Sequence, residues 1–303
     1  MPTLYCVIQS QDQATLEQLA CALNQRLAGI ALEQNWPAPV RFERHPLPRP
    51  HLLAEFQTTN ALPASEKAVI DVICDDAQAD CTWLAQKLDW SAYGLVAMDM
   101  DSTLITIECI DEIADFCGKK AEVAAITEAA MRGEIKDFNE SLARRVGLLA
   151  GLAANNLEAV YNERLQLSPG AETMLASVQR HGLKTLLVSG GFTFFTEKLQ
   201  ERLGLDYTRA NTLEIVDGRL TGRVQGQIVN DEVKAETVQQ YCAELRLSTQ
   251  QTIVMGDGSN DLKMMALAGV SLAFHAKPAV RQAASHRLNH VGLDGILPWF
   301  GTN

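Results

Sequence analysis

The 303 residues carry 26 Lys and Arg against 37 Asp and Glu, a formal net charge of −11, and 47% of them are hydrophobic. That is enough apolar material for one large core or two smaller ones, and the negative balance argues against nucleic acid or an anionic membrane surface as partner. No apolar stretch reaches the roughly 18 residues a membrane span needs, and no signal peptide follows Met1-Pro2-Thr3, so a soluble cytoplasmic chain is expected. The seven cysteines are odd in number and form no Cys-x-x-Cys pair. They read as reduced, buried small hydrophobes.

Seven of the ten prolines fall before residue 64, a composition shift that marks off an N-terminal unit. Within it, Leu4 to Gln9 reads as a strand and Asp12 to Leu27 as an amphipathic helix with Leu16, Leu19, Leu23 and Leu27 on one face. Pro46-Leu47-Pro48-Arg49-Pro50 must be extended or a turn. His51 to Gln57 and Ala68 to Cys74 are short strand candidates, and Ala77 to Leu88 a second helix. The order predicts a small α+β domain over residues 1–90, at most ferredoxin-like, with two roles open: docking or stabilising without a ligand, or an amino-acid-binding (ACT-like) module.

Leu95-Val96-Ala97-Met98 is a short apolar run after Gly94, the pattern of a buried parallel strand. It ends in Asp99-Met100-Asp101-Ser102-Thr103 and so delivers two carboxylates to the carboxyl end of a strand, where ligands of open α/β sheets bind. From Cys109 to Leu167 the apolar spacing is helical, in Ile110–Ala114, Glu122–Ile126, Leu142–Leu149 and Leu157–Leu165. An all-helical insertion directly after a strand end reads as a lid that excludes water and selects substrate. Ser168-Pro169-Gly170 then predicts a capped helix start, running to Gly182.

Lys184 to Val188 is a second strand, stopping in Ser189-Gly190-Gly191 before a helical pattern from Phe195 to Gly204. A strand, a Ser/Gly turn and a helix N-terminus can make a backbone-amide cradle for phosphate, or merely a tight turn that needs glycine. Thr212–Val216 and Arg219–Val224 flank Asp217-Gly218, a hairpin signature. Lys234 opens a further helix and by itself reads as a surface charge. Thr252–Met255 is another apolar strand, ending in Gly256-Asp257-Gly258-Ser259-Asn260-Asp261. Val270–Phe274 is the expected last strand and Pro278–Ala284 the last core helix.

Carboxylates gathered without Cys or His suit a hard, oxygen-ligated ion, Mg²⁺ more than Zn²⁺. A carboxylate can also attack phosphorus to give an aspartyl-phosphate, given positive charge nearby, and a second one can serve as proton donor. None of the six histidines lies in either acidic motif.

Asp-x-Asp-x-Thr, a strand ending in Ser-Gly-Gly, a lysine and Gly-Asp-Gly-x-Asn-Asp, in this order, resemble the four motifs of haloacid-dehalogenase (HAD) phosphohydrolases, from about Ser91 to Gly295. Glu108, Ile110-Asp111-Glu112-Ile113-Ala114, Met131, Phe138 and Ser141-Leu142-Ala143-Arg144-Arg145-Val146 are similar, within that superfamily, to the phosphoserine phosphatase family. The resemblance implies Asp99 as nucleophile and Asp101 as acid/base, with Asp99, Asp101 and Asp257 on Mg²⁺. It implies Ser189, Gly190 and Lys234 on the phosphoryl group, and Asn260 beside the substrate. Glu108 and Arg145 would read the amino acid, with Asp261, Met131 and Phe138 in support. It further implies hydrolysis of O-phospho-L-serine to L-serine and phosphate, the last step of L-serine biosynthesis, and admits a homodimer.

The expected fold is α/β, a doubly wound, mostly parallel Rossmann-like core over residues 91–303, with a helical cap at about 109–167 after its first strand. Arg144 and Arg145 cannot share a helical face, so only one should reach the site, and the resemblance picks Arg145. The alternative is a related phosphatase or phosphotransferase acting on another small phosphomonoester. A phospho-accepting receiver module lacks both the second acid of the pair and an inserted lid. An ion-pump ATPase would carry Thr in place of Asp101 and needs membrane helices.

Overall fold

The computed structural model describes residues 3–33, 41–45, 51–57, 62–132, 134–135 and 137–301, with the side chains of residues 3, 32–33, 45, 53–57 and 131 excepted. The Pro46–Pro50 segment lies outside the described residues. The chain begins with strand β1 (Thr3–Gln9), helix α1 (Gln13–Glu33), β2 (Glu43–His45), β3 (His51–Gln57), helix α2 (Ala64–Asp76) and β4 (Asp80–Leu84). They form an antiparallel sheet in the order β2-β3-β1-β4, the βαββαβ arrangement of a ferredoxin-like unit. Leu16, Leu19, Leu23 and Leu27 of α1 are all buried, packed with Cys6 and Ile8 of β1 and Cys81 of β4.

Two expectations in this region are corrected. Ala68–Cys74 is not a strand but the body of α2: Ile70 and Cys74, four residues apart, are fully buried, while Val69 and Val72 are exposed. Exposed valines on the outer face made a helix look like a continuous apolar run. Ala77–Leu88 is not a helix; its centre is β4, where Cys81, Thr82 and Trp83 pair with β1. Their β-branched and aromatic content outweighs the spacing of the flanking apolar residues.

The second sheet has the order β11-β10-β9-β5-β6-β7-β8. It comprises β5 (Leu95–Met98), β6 (Lys184–Phe192), β7 (Tyr207–Val216), β8 (Arg219–Gln225), β9 (Thr252–Gly256), β10 (Val270–Phe274) and β11 (His286–Leu288). Neighbours are parallel except β7 and β8, which form the hairpin. Asp217 and Gly218 at its tip have φ of 51° and 74°, the two positive values a primed turn requires. The last strand is β11, not β10: three residues after a helix are too few to show period-two patterning. Every residue of β5, β9 and β10 is buried, as strands covered on both faces must be.

The lid consists of α3 (Cys109–Phe116), α4 (Lys120–Met131), α5 (Phe138–Gly147) and α6 (Asn155–Glu163). Helices α7 (Ala171–Arg180), α8 (Thr193–Leu203), α9 (Asp231–Leu245), α10 (Leu262–Met265) and α11 (Pro278–Ala283) follow in the rest of the chain. The start of α7 departs from expectation, since no side chain caps it and Gly170, at φ 78°, holds that place. A Cβ there would lie 2.1 Å from Asp294 Oδ1, so a close approach, and not a capping serine, decides the residue.

Strand β4 ties the small sheet to the large one. The buried Asp80 carboxylate accepts the N–H groups of Asn289 (2.6 Å), His290 (2.9 Å) and Val291 (2.9 Å), directly after β11. Among the described residues no helix is long and apolar enough to cross a membrane.

Candidate active site

The strand order reverses at β5, which has β6 on one side and β9 on the other. A crevice must open beyond the carboxyl ends of β5 and β9. Asp99 follows β5 and Asp257 follows β9, so one motif from each strand faces the other across it. The cleft has a volume of about 330 Å³. Asp99, Asp101, Ser189, Gly190, Asp257 and Asn260 line its floor, and Glu108, Phe138 and Arg145 from the lid side line its roof.

Lys234, near the start of α9, is fully buried. Its Nζ lies 2.8 Å from Asp99 Oδ2 and 2.8 Å from Asp261 Oδ1. Burial works to lower the Lys234 pKa, but Asp261 and Asp99 together outweigh it and the net shift is upward. The surface-charge reading of this lysine is therefore wrong. Asn230 caps α9 by accepting the Val233 N–H at 3.0 Å and so fixes where the helix, and with it Lys234, begins.

Carboxylate oxygens of Asp99, Asp257 and Asp261 all lie within 4.8 Å of one another. Burial, and then Asp99 and Asp261, push Asp257 up to about 7; burial and Asp99 push Asp261 up to about 6 despite Lys234. Three crowded oxygen donors of this kind fit a hard divalent cation, which would remove the repulsion that raises them. The cluster differs from the expected ligand set in one member: it contains Asp261, not the Asp101 carboxylate. Asp101 turns aside, and its Oδ1 accepts the Cys109 N–H at 3.2 Å, at the first residue of α3. Burial, with Glu108 and Asp99 adding to it, holds the Asp101 carboxyl well above the usual carboxylate range, a shift toward its protonated form.

After Asp99 the chain makes a wide turn in which Ser102 takes a φ of 56°. That conformation brings Ser102 Oγ 2.7 Å from Glu108 Oε1, to which it donates. Arg145 lines the cleft, while Arg144 points away and pairs with Glu140. Phe138 closes over the Ser189-Gly190-Gly191 turn: a Cβ on Gly190 would stand 3.2 Å from its ring. On Gly191 a Cβ would be 2.8 Å from Asp101 Oδ2 and 3.1 Å from Ser189 Oγ, so only glycine lets these groups converge. Met131 ends α4, and its side chain lies outside the described residues.

Several residues escaped the sequence reading, Thr127 of α4 in the cleft wall among them. Asp111 and Lys277 also line the cleft. Lys277 follows the carboxyl end of β10, and the strand-end rule applied to every strand would have found it. Asn211, on β7, is buried behind the Ser-Gly-Gly turn and carries no motif at all.

The haloacid dehalogenase-like hydrolase family profile matches residues 96–266. The chain belongs to that family. A phosphoserine phosphatase from Polaromonas sp. is 54% identical over 214 residues, 69% of this chain and 91% of that one. The crystal structure of a HAD-family hydrolase from Salmonella enterica serovar Typhi covers 98% of both chains at 34% identity and a TM-score of 0.83. A structure of a phospho-aspartyl intermediate analogue of phosphoserine phosphatase is 36% identical, with a TM-score of 0.65, over 69% of this chain and 99% of that one. The first of these structures spans the N-terminal sheet as well as the HAD core. The resemblance read from the four motifs and the lid residues thus extends to chains similar over most of their length.

Proposed function

We propose that this HAD hydrolase cleaves O-phospho-L-serine to L-serine and phosphate, through a phosphorylated Asp99. The observation that carries the reading is the placement of Asp99 against buried Lys234, in a cleft whose roof bears one acid, Glu108, and one guanidinium, Arg145. A phosphorylated amino acid needs both halves: positive charge for its phosphoryl group, and one anion and one planar donor fork for its ammonium and carboxylate. The named activity of the Polaromonas relative and the phospho-aspartyl analogue of a second one support the same assignment.

In this mechanism an Asp99 oxygen attacks phosphorus and the bond to the seryl oxygen breaks. Protonated Asp101 donates to the departing alkoxide and becomes a carboxylate. A water then attacks the phosphorus, Asp101 takes its proton, and Asp99 leaves as a free carboxylate. Lys234 holds charge against the phosphoryl oxygens, while Ser189 and the Gly190 amide cradle them. Glu108 and Arg145 orient the amino-acid end, Asn260 lies beside it, and Phe138 keeps water off the turn. Mg²⁺, held by Asp99, Asp257 and Asp261, would supply further positive charge to the phosphoryl group.

Such a reaction would end a route to L-serine in the cytoplasm. The test is release of inorganic phosphate and L-serine from O-phospho-L-serine, with and without Mg²⁺, and acid trapping of labelled enzyme from radiolabelled substrate. No turnover of phosphoserine alongside rapid hydrolysis of another phosphomonoester would overturn the substrate. Turnover without any trappable phosphoenzyme, under conditions where the second step limits, would overturn the covalent route.

A further inference from the structure

Strand β6 leaves its regular pairing with β7 between Val188 and Phe192, at the segment that carries Ser189, Gly190 and Gly191. The turn folds inward on itself, with the Gly191 N–H donating to Ser189 Oγ at 2.8 Å. Its Gly190 carbonyl, dropped from the strand ladder, is met by a side chain: Asn211 Nδ2 donates to it at 2.7 Å. The other end of the same carboxamide is used as well, since Asn211 Oδ1 accepts the Val229 N–H at 2.8 Å. Asn211 is 1% exposed and Val229 fully buried.

Val229 directly precedes Asn230, the residue that caps α9. The backbone N–H of Lys234 donates to the Asn230 carbonyl at 2.9 Å. One carboxamide therefore ties the Ser-Gly-Gly turn to the segment that starts the Lys234 helix. A donor and an acceptor are needed at once at this depth, and a carboxamide provides both in one planar group. Aspartate offers no donor, and serine or threonine is too short to span the two.

We propose that Asn211 is a positioning residue for phosphoryl transfer: it sets the distance between the Ser189–Gly191 cradle and Lys234 without touching substrate. The inference rests on the phosphatase reading above, and any phosphomonoester substrate would serve it equally.

The test uses the full chain with Asn211→Asp, which keeps the size and the acceptor for Val229 but turns an oxygen toward the Gly190 carbonyl. Asn211→Ser, smaller and neutral, removes the same donor without placing a charge. Orthovanadate, which occupies the cradle, and L-serine, which does not, are the probes. A displaced cradle should cost about 10–100-fold in kcat, as misplaced reacting groups generally do. Vanadate affinity should fall by a comparable factor, while inhibition by L-serine and the KM for phosphoserine move less than about threefold, the amino-acid readers being elsewhere.

Vanadate affinity and kcat within twofold of wild type in either folded variant would overturn the proposal. So would equal losses of vanadate and L-serine binding, the sign of general loosening. If the wild-type chain ignores phosphoserine yet hydrolyses p-nitrophenyl phosphate and binds vanadate, the substrate reading fails and the Asn211 test still stands.

Discussion

Lys234 and Asp261 form an ion pair in which neither side chain has any exposed surface, with Nζ 2.8 Å from Oδ1. The second Asp261 oxygen accepts the Gly258 N–H at 3.1 Å, so the pair links α9 to the loop after β9. A Cβ on Gly256 would lie 2.4 Å from the Asp261 carboxylate, which explains why the strand ends in glycine. Lys234→Met should remove the charge shared between Asp99 and Asp261 and leave buried carboxylates unpaired. Breaking such a pair costs about 3–5 kcal/mol, and the loss of the phosphoryl clamp should lower kcat by about 10²-fold or more. Urea unfolding and steady-state kinetics on the same preparation check both. A fall in stability with kcat intact would confine Lys234 to the scaffold.

Asp101→Asn should preserve the contact with the Cys109 N–H and remove the transferable proton. General acids contribute about 10²–10⁴ in rate, so the loss with phosphoserine should fall in that range. With p-nitrophenyl phosphate, whose leaving group needs no proton, the first step should be much less affected. Rapid-quench measurement of phosphoenzyme formation on the two substrates decides the matter, and equal losses on both would remove Asp101 from the acid role.

Legibility in the sequence followed the locality of the signal. Asp99, Asp101, Asp257 and Asp261 stand at strand ends marked by apolar runs and glycines, so their place could be read before the fold, while which of them gather in the acidic cluster could not. The lid was legible because each of its helices repeats the 3.6-residue period on its own. The burial of Lys234 was not legible from its neighbours, since Asp231 and Glu232 make its helix start look like a charged surface; the four-motif order supplied what local pattern lacked. Asn211 was invisible for a different reason. Its partners Gly190 and Val229 are 21 and 18 residues away and meet it only through the β6–β7 irregularity. The N-terminal helix α2 was misread because its outer face carries valines, a choice that water tolerates and periodicity counting does not.

Asp80 offers a test of the junction between the two sheets. Its carboxylate is 2% exposed and accepts three consecutive backbone N–H groups, at Asn289, His290 and Val291. Asp80→Ala should leave all three donors without this partner, the Val291 N–H in the buried interior and the other two half-buried. At about 1–3 kcal/mol for each unsatisfied group, partly relieved by entering water, a loss of several kcal/mol is expected. The melting temperature should fall well below that of wild type, while Asp80→Asn, which retains an acceptor, should lose less. Equal Tm values for wild type and Asp80→Ala would mean the contact adds nothing to the folded state.

His286, on β11 beside Trp299, supplies a pH dependence. Burial pushes its pKa down from 6.5 to about 4, so the folded protein refuses a proton that the unfolded chain accepts. Its contribution is complete above pH 6.5, is lost progressively as the pH falls, and stops changing below about 4. The loss across the whole window is on the order of 3 kcal/mol. His286→Phe has no proton to accept in either state, so its stability relative to wild type should improve between pH 7.5 and pH 5. Denaturation midpoints at the two pH values give the difference directly, and a constant offset would show that His286 titrates normally in the fold.

Arg145 carries the specificity argument. Burial lowers its pKa while Asp111, Glu108 and Asp101 raise it, and the guanidinium stays charged because an arginine has so much range to lose. Its planar fork can take a substrate carboxylate bidentately, which a lysine ammonium cannot. Arg145→Lys should therefore raise KM for phosphoserine strongly, with unpairing of a charged partner in a closed site worth about 2–5 kcal/mol. Phosphoethanolamine has the same phosphate and ammonium but no carboxylate, and its kcat/KM should hardly respond to Arg145→Lys. Glu108→Gln, by contrast, should impair both substrates, since both present an ammonium to that carboxylate. Equal losses on the two substrates with Arg145→Lys would make the arginine a support for α5 and not a reader of substrate. The phosphatase chemistry on Asp99 would survive that result, and the assignment of phosphoserine as its substrate would not.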